Sequence, residues 1–207
     1  MTRNPEPYLT HPGNIKGLVL CGGASSRMGR DKGDLVYHTK PQKFHVAEML
    51  MRLGLDTYIS VNEDQEKTGE YQYLTDRYRH TGPLAGLLTA FEKHATAWLV
   101  VGCDYPLLET RHLRLLLSER DPRKTATVFS EETSGFLLPT LAIYEARFLP
   151  VLQSGWQSKE YSLRQLLRQR DIKILPVQDQ AVRSIDTPAA YAAIKKELHE
   201  KPFRNFY

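Results

Sequence analysis

Apolar residues in this chain fall into short, nearly continuous runs separated by stretches where they recur every three or four positions. That is the pattern of buried strands alternating with amphipathic helices. The run over 15–21 is too short for a typical helix and stops at Gly22-Gly23, which predicts a buried strand entering a loop. A short extended piece and turn over 34–41 lead to a helix over 44–53, where Phe44, Ala47, Leu50 and Met51 recur at helical spacing and Gly54 supplies the stop. Strands follow over 57–61 and, more weakly, 72–74. Pro83 opens the next helix, carried on by Leu87, Leu88, Ala90 and Phe91, because proline suits a first turn where its missing N–H costs nothing. The run 97–103 is apolar almost throughout, as central parallel strands are. A helix over 110–119, extended segments over 125–129 and 136–144, and helices over 147–152 and 162–170 come next. A strand over 172–177 and a final helix over 189–199 end the series, with Thr187 and Pro188 as natural N-cap and first-turn residues. The regular alternation predicts an α/β fold, a Rossmann-like three-layer αβα arrangement around a mostly parallel central sheet.

Composition narrows the class without changing the fold. A chain of 207 residues with 41% hydrophobic and 25% charged residues has room for one sizeable core. One domain is expected over 15–200, between a loose lead-in (1–14, with three prolines) and a tail (201–207). No apolar run approaches the ~20 residues that span a bilayer, and the N-terminus lacks the apolar core of a signal peptide. A cytoplasmic protein with no membrane partner is expected. The two cysteines, Cys21 and Cys103, end apolar runs without partners at metal-ligand spacing, which predicts buried reduced thiols. The net charge of +4 favours anionic partners. Its cations are scattered, with no aromatic platform for single strands, so a phosphorylated small molecule is favoured over nucleic acid.

Chemistry concentrates in the loop after the first strand. Gly22, Gly23 and Gly29 allow tight turns and close approach of backbone N–H groups, Ser25 and Ser26 add hydroxyls, and Arg27 and Lys32 add full positive charges. The set suits a phosphate. It matches neither the P-loop, since Gly29 is followed by Arg30-Asp31-Lys32, nor the dinucleotide Gly-x-Gly-x-x-Gly fingerprint. On these residues alone, an ordinary glycine-rich strand-to-helix turn is an equal alternative.

The wider string Leu20-Cys-Gly-Gly-x-Ser-x-Arg-Met-Gly-x-Asp-Lys32 resembles the signature loop of the MobA-like nucleotidyltransferases, the family that includes molybdenum cofactor guanylyltransferases. Gly82-Pro-Leu-Ala-Gly86, Cys103-Asp-x-Pro106 and Pro139-Thr140 are similar to further family motifs in the same order. The resemblance covers about residues 15–195. It implies a nucleotide-binding N-terminal half and an acceptor-binding C-terminal half. GTP would bind through Leu20, Cys21, Gly22, Gly23, Ser25, Lys32, Asn62, Asp76, Gly82, Pro83 and Asp104. Arg27, Lys32 and Asp104 would be catalytic, and Mg²⁺ would sit on Asp104. Asp186, where the family more often carries Asn, is a second metal ligand by analogy with related nucleotidyltransferases. The acceptor would be molybdopterin or molybdenum cofactor. Leu138 replaces a His the family often has before Pro139, which puts a polar contact there in doubt.

Local chemistry leaves bland roles open for several of these residues. Asn62 and Asp76 follow predicted strands and are also common turn formers. Asp104 stands at a strand's carboxyl end, where a hard cation needs a ligand, and also just before a helix that an Asp can cap. The alternatives to guanylyl transfer are a cytidylyltransferase on the same pterin, another NTP:phosphate nucleotidyltransferase, and a non-catalytic nucleotide-binding regulatory protein.

Overall fold

The structure is a computed structural model that describes residues 14–21, 32–78, 81–178, 180–185 and 187–200. Its strands are β1 (Ile15–Leu20), β2 (Thr57–Val61), β3 (Gln72–Thr75), β4 (Ala97–Gly102), β5 (Ala126–Glu131), β6 (Leu137–Tyr144) and β7 (Ile172–Val177). The helices are α1 (Gln42–Arg52), α2 (Pro83–Lys93), α3 (Thr110–Ser118), α4 (Leu149–Ser158), α5 (Leu163–Arg168) and α6 (Pro188–Glu200). The strands form one seven-stranded sheet in the order β3-β2-β1-β4-β6-β5-β7. Every residue of β2 and β4 is buried, which is why β4 reads as an unbroken apolar run and β2 as β-branched and aromatic residues broken only by Ser60. At the β7 edge the buried face fades and residues alternate between half-buried and exposed.

The sheet is parallel from β3 through β4 and again between β5 and β7, while β6 runs antiparallel to both neighbours. A parallel crossover needs a dozen or more residues, and only five separate β5 from β6, so the chain reverses in a hairpin. Gly135, at φ +68°, makes that turn in a left-handed conformation that glycine adopts without strain. One apolar layer packs α1 and α3 on one face of the sheet, through Val46, Leu50, Leu113 and Leu116. A second packs α2, α4 and α5 on the other, through Leu87, Phe91, Leu152 and Leu167. The three-layer αβα expectation holds.

Two segments differ from the sequence reading. α4 continues to Ser158 through Gly155, where the absence of a side chain leaves room for α5: a Cβ there would lie 2.8 Å from Leu166 Cδ1 and 2.9 Å from the Glu160 carbonyl. Residues Lys32–Asp34 form a 3₁₀ turn, after which Val36 bridges Pro41. The predicted start of α6 is as expected, with Thr187 Oγ1 accepting the Ala190 amide at 3.2 Å.

Candidate active site

Four consecutive parallel strands, β3, β2, β1 and β4, present their carboxyl ends along one edge, and Asp76, Asn62, Leu20 and Asp104 stand at or just beyond those ends. From β1 the chain goes on to β2 on one side, while β4 pairs on the other. Such a divergence opens the crevice in which open α/β sheets bind ligands. Leu20 stands opposite Gly102, and the Cys103 amide donates to the Leu20 carbonyl at 3.2 Å. Cys21 and Cys103 are buried thiols outside any disulfide, as expected, and their sulfurs lie 3.1 Å apart. Cys103 is followed directly by half-buried Asp104. Gly22, Gly23, Ser25 and Arg27 lie outside the described residues, as does Asp186.

The segment after the glycine-rich stretch returns along the same edge. Half-buried Lys32 begins the 3₁₀ turn. Beyond it, His38 Nε2 contacts the Pro106 carbonyl at 2.9 Å, and Gln42 Nε2 donates to the Tyr105 carbonyl at 3.3 Å. Tyr37 is buried, with its ring 5.0 Å from that of Tyr191 of α6. Burial first, then the neighbouring Tyr191, Asp104 and Cys103, raise its phenol well above the ordinary range. The Ile185 amide donates to the Asp104 carbonyl at 2.8 Å, so the chain entering α6 also meets the tip of β4. The segment 37–42 that follows the Lys32 turn thus packs against residues 104–106. The histidines there are packing groups: His38 and His45 stack at 4.1 Å, and burial lowers His45 to about 4.

On the other side of β1, the Asp76 amide donates to the Val61 carbonyl at 2.8 Å, which sets Asp76 beside exposed Asn62. The Gln65 side chain closes the turn at Asn62, the Asn62 backbone amide donating to Gln65 Oε1 at 2.5 Å. Asp76 is only 8% exposed, and its Oδ1 accepts the Ser60 hydroxyl at 2.6 Å. Burial raises its carboxyl to about 6, and the Ser60 hydrogen bond holds it below what burial alone would give. Ser60 was not singled out by the sequence; only its inward position on β2 could have suggested it. Gly82 precedes α2 at φ +61°, and Pro83 takes the first helical turn.

The reason for Gly86 is likewise visible. A Cβ there would lie 2.3 Å from Ser60 Oγ and 2.6 Å from Leu20 Cδ2, so the group that approaches this helix is the sheet itself. A helical Gly→Ala change normally stabilises by roughly 0.5–1 kcal/mol. Here Ser60 must turn away from Asp76, and the expected outcome of Gly86→Ala is a loss of about 1–3 kcal/mol in urea unfolding. Combining it with Ser60→Ala should recover part of that loss, because the clash and the broken hydrogen bond share one atom.

The MobA-like NTP transferase domain matches residues 17–174, three-quarters of the chain and both sides of this edge. The chain belongs to the MobA-like NTP transferase family. It is 31% identical over 183 residues to a molybdenum cofactor guanylyltransferase of Pseudomonas entomophila, covering 83% of this chain and 93% of that protein. With a second guanylyltransferase, from Pseudomonas putida, identity is 34% over 158 residues, covering 72% and 80%. Among solved structures, molybdopterin-guanine dinucleotide biosynthesis protein A from Archaeoglobus fulgidus superposes with a TM-score of 0.77 at 18% identity, covering 90% of this chain and all of that one. The 2-C-methyl-D-erythritol 4-phosphate cytidylyltransferase of Thermus thermophilus has the same fold, at a TM-score of 0.67 and 12% identity, with 90% and 100% coverage. The MobA-like chain is thus a nucleotidyltransferase. No helix among its described residues is long and apolar enough to cross a membrane.

Proposed function

We propose that this MobA-like chain transfers GMP from GTP to the terminal phosphate of molybdopterin or molybdenum cofactor, with release of pyrophosphate. The observation that supports the reading is the contact between the tips of β1 and β4, which brings together Cys21 and Cys103, the residues that immediately precede the glycine-rich stretch and Asp104 in sequence. The guanylyltransferase names of its relatives point to GTP and to the pterin acceptor. A cytoplasmic setting goes with that reading.

The residues divide the work by chemistry. Loop N–H groups, Arg27 and Lys32 would hold the triphosphate and spread its charge. Asn62 and Asp76 would meet the base: guanine presents two adjacent N–H donors, which a carboxylate accepts. A phosphate monoester has its second pKa near ~6, so the acceptor phosphate is already an effective nucleophile at neutral pH and no side-chain base is needed. One of its oxygens bonds to the α-phosphorus of GTP while the bond from that phosphorus to the bridging oxygen breaks, and pyrophosphate takes the electron pair away. The obstacle is repulsion between two anions, which fixed positive charge and orientation reduce.

The donor chemistry at Asp104 suits Mg²⁺. It is a single hard carboxylate at a strand tip beside a phosphate loop, and Mg²⁺ takes one or two carboxylates and completes its shell with phosphate oxygens and water. Asp104, with Asp186 as a candidate second ligand, would hold the ion. When bound, it would supply charge neutralisation on the phosphates.

The test is molybdopterin, Mg²⁺ and each of GTP, CTP, UTP and ATP in turn, with products read by mass spectrometry. GTP should give the pterin–guanine dinucleotide at least tenfold faster than the others. A faster CTP reaction would reassign the chain as a cytidylyltransferase. Nucleotide binding without pyrophosphate release under any condition would make it a regulatory binder.

A further inference from the structure

We propose that Cys21 and Cys103 are a reversible covalent modification site, closed to a disulfide by a small hydroperoxide, and that closure disables the nucleotide edge they share. The second half of this inference rests on the reading of that edge as a nucleotide site. These are the chain's two cysteines, 82 residues apart in sequence, yet their sulfurs lie 3.1 Å from one another. The contact follows from the fold. Leu20 and Gly102 are register partners on parallel neighbours, the Cys103 amide is bonded to the Leu20 carbonyl, and the next residue on each strand is the cysteine. Both thiols face the layer that holds α1 and α3, so the side chains turn towards each other rather than to opposite faces of the sheet.

Strands pair at a spacing of about 4.8 Å, inside the Cα separation of roughly 4.4–6.8 Å that a disulfide tolerates. A bond of about 2.05 Å requires about 1 Å of further closure. Exposures of 5% and 3% keep large disulfide reagents out and admit an oxidant no larger than hydrogen peroxide. In the first step one sulfur takes an oxygen from the peroxide as the O–O bond breaks, giving a sulfenic acid and one water. In the second, the other thiol attacks that sulfur, the S–S bond forms, and a second water leaves. Two electrons pass from the two thiols to one peroxide. With the resolving sulfur already in contact, this second step outruns a second peroxide, which would otherwise carry the sulfur to sulfinic acid.

The consequence lies one residue further along each strand. Cys21 immediately precedes the glycine-rich loop, and Cys103 immediately precedes Asp104. Drawing the two sulfurs together moves the origin of that loop and the Asp104 backbone, and a displacement of about 1 Å at such a site can cost 10²-fold in rate.

The experiment treats the reduced full chain with a few equivalents of hydrogen peroxide. The expected results are a fall from two titratable thiols to none in denaturant, a mass loss of about 2 Da, and a proteolytic peptide linking positions 21 and 103. Binding of the triphosphate that most raises the melting temperature of the reduced protein should weaken at least tenfold, and dithiothreitol should restore it. Cys103→Ala should bind that nucleotide like the reduced wild type, form no linked peptide and resist peroxide. Two thiols surviving the treatment, sulfinic acid in place of the link, or a link that leaves nucleotide binding unchanged would each overturn the proposal. So would a Cys103→Ala protein as sensitive as the wild type, or a reduced wild type that binds no nucleotide. The thiol count and the linked peptide are independent of which acceptor the enzyme uses, so they stand or fall apart from the guanylyl-transfer reading.

Discussion

Asp104→Asn should lower the rate of GMP transfer by roughly 10³-fold while leaving the protein folded, because it removes one negative charge from the site and almost nothing from the core. The Ile185 amide bonds to the Asp104 carbonyl, a backbone tie that the substitution keeps, and Asn keeps the shape of a side chain whose Oδ1 lies against Gly102. The side chain is half-buried and the amide is isosteric, so urea unfolding should shift by less than about 0.5 kcal/mol. The decisive comparison is binding with and without Mg²⁺. Wild-type protein should bind GTP more tightly when Mg²⁺ is present, and the variant should lose that increment while its metal-free GTP affinity stays within a few-fold. Turnover within tenfold of wild type would remove Asp104 from the chemistry and return it to a strand-tip residue before α3.

The position of Asp104 at a strand tip was legible because the chain's most apolar strand runs up to it and a carboxylate follows directly. β2 was legible to the residue because the β-branched Thr57, Ile59 and Val61 alternate along a short run between Gly54 and Asn62. The direction of β6 was not, because an apolar run carries the period of a strand and no record of which way it runs. The length of the link to β5 decides it, combined with knowing that the two strands are neighbours. Buried polar groups were hidden for a related reason. Lys43 reads as a solvated residue of the first turn of α1, yet it is 4% exposed and paired with Asp34 at 2.6 Å. The thiol contact between Cys21 and Cys103 required the pairing of β1 with β4, which no local pattern reveals. Of the glycine-rich stretch, the described residues hold the flanking Cys21, at the tip of β1, and Lys32, at the start of a 3₁₀ turn.

Asp76→Asn should separate stability from function in opposite directions. The carboxyl is held near 6 by burial, against an ordinary 3.8, so the folded protein binds a proton more readily than the unfolded chain between those values. A carboxyl raised in this way favours the fold below about pH 3.8 and loses that contribution as pH rises through about 6. At 1.36 kcal/mol per pH unit the gap amounts to about 3 kcal/mol, a cost carried by the ligand-free protein at pH 7 and above. An Asn carbonyl can still accept the Ser60 hydroxyl, and it has no charge to desolvate. The variant should therefore be more stable than wild type by about 1–3 kcal/mol at pH 8, with the difference shrinking towards zero near pH 4, as read by urea unfolding across that range. GTP affinity should move the other way, falling roughly 10- to 100-fold, since a hydrogen bond to a charged acceptor is worth ~1.5–3 kcal/mol. Wild-type affinity should also weaken as pH drops below about 6, where Asp76 takes up its proton, by more than the variant's does. The γ-phosphate titrates in the same region, but identically for both proteins, so the difference between them isolates the side chain. A variant that gains stability yet binds GTP like wild type would make Asp76 a buried turn residue. A stability difference that does not vary with pH would show that burial does not perturb its carboxyl. A stabilised protein with a weakened grip on guanine is the combination expected of a carboxylate kept charged in a dry place because the base needs it there.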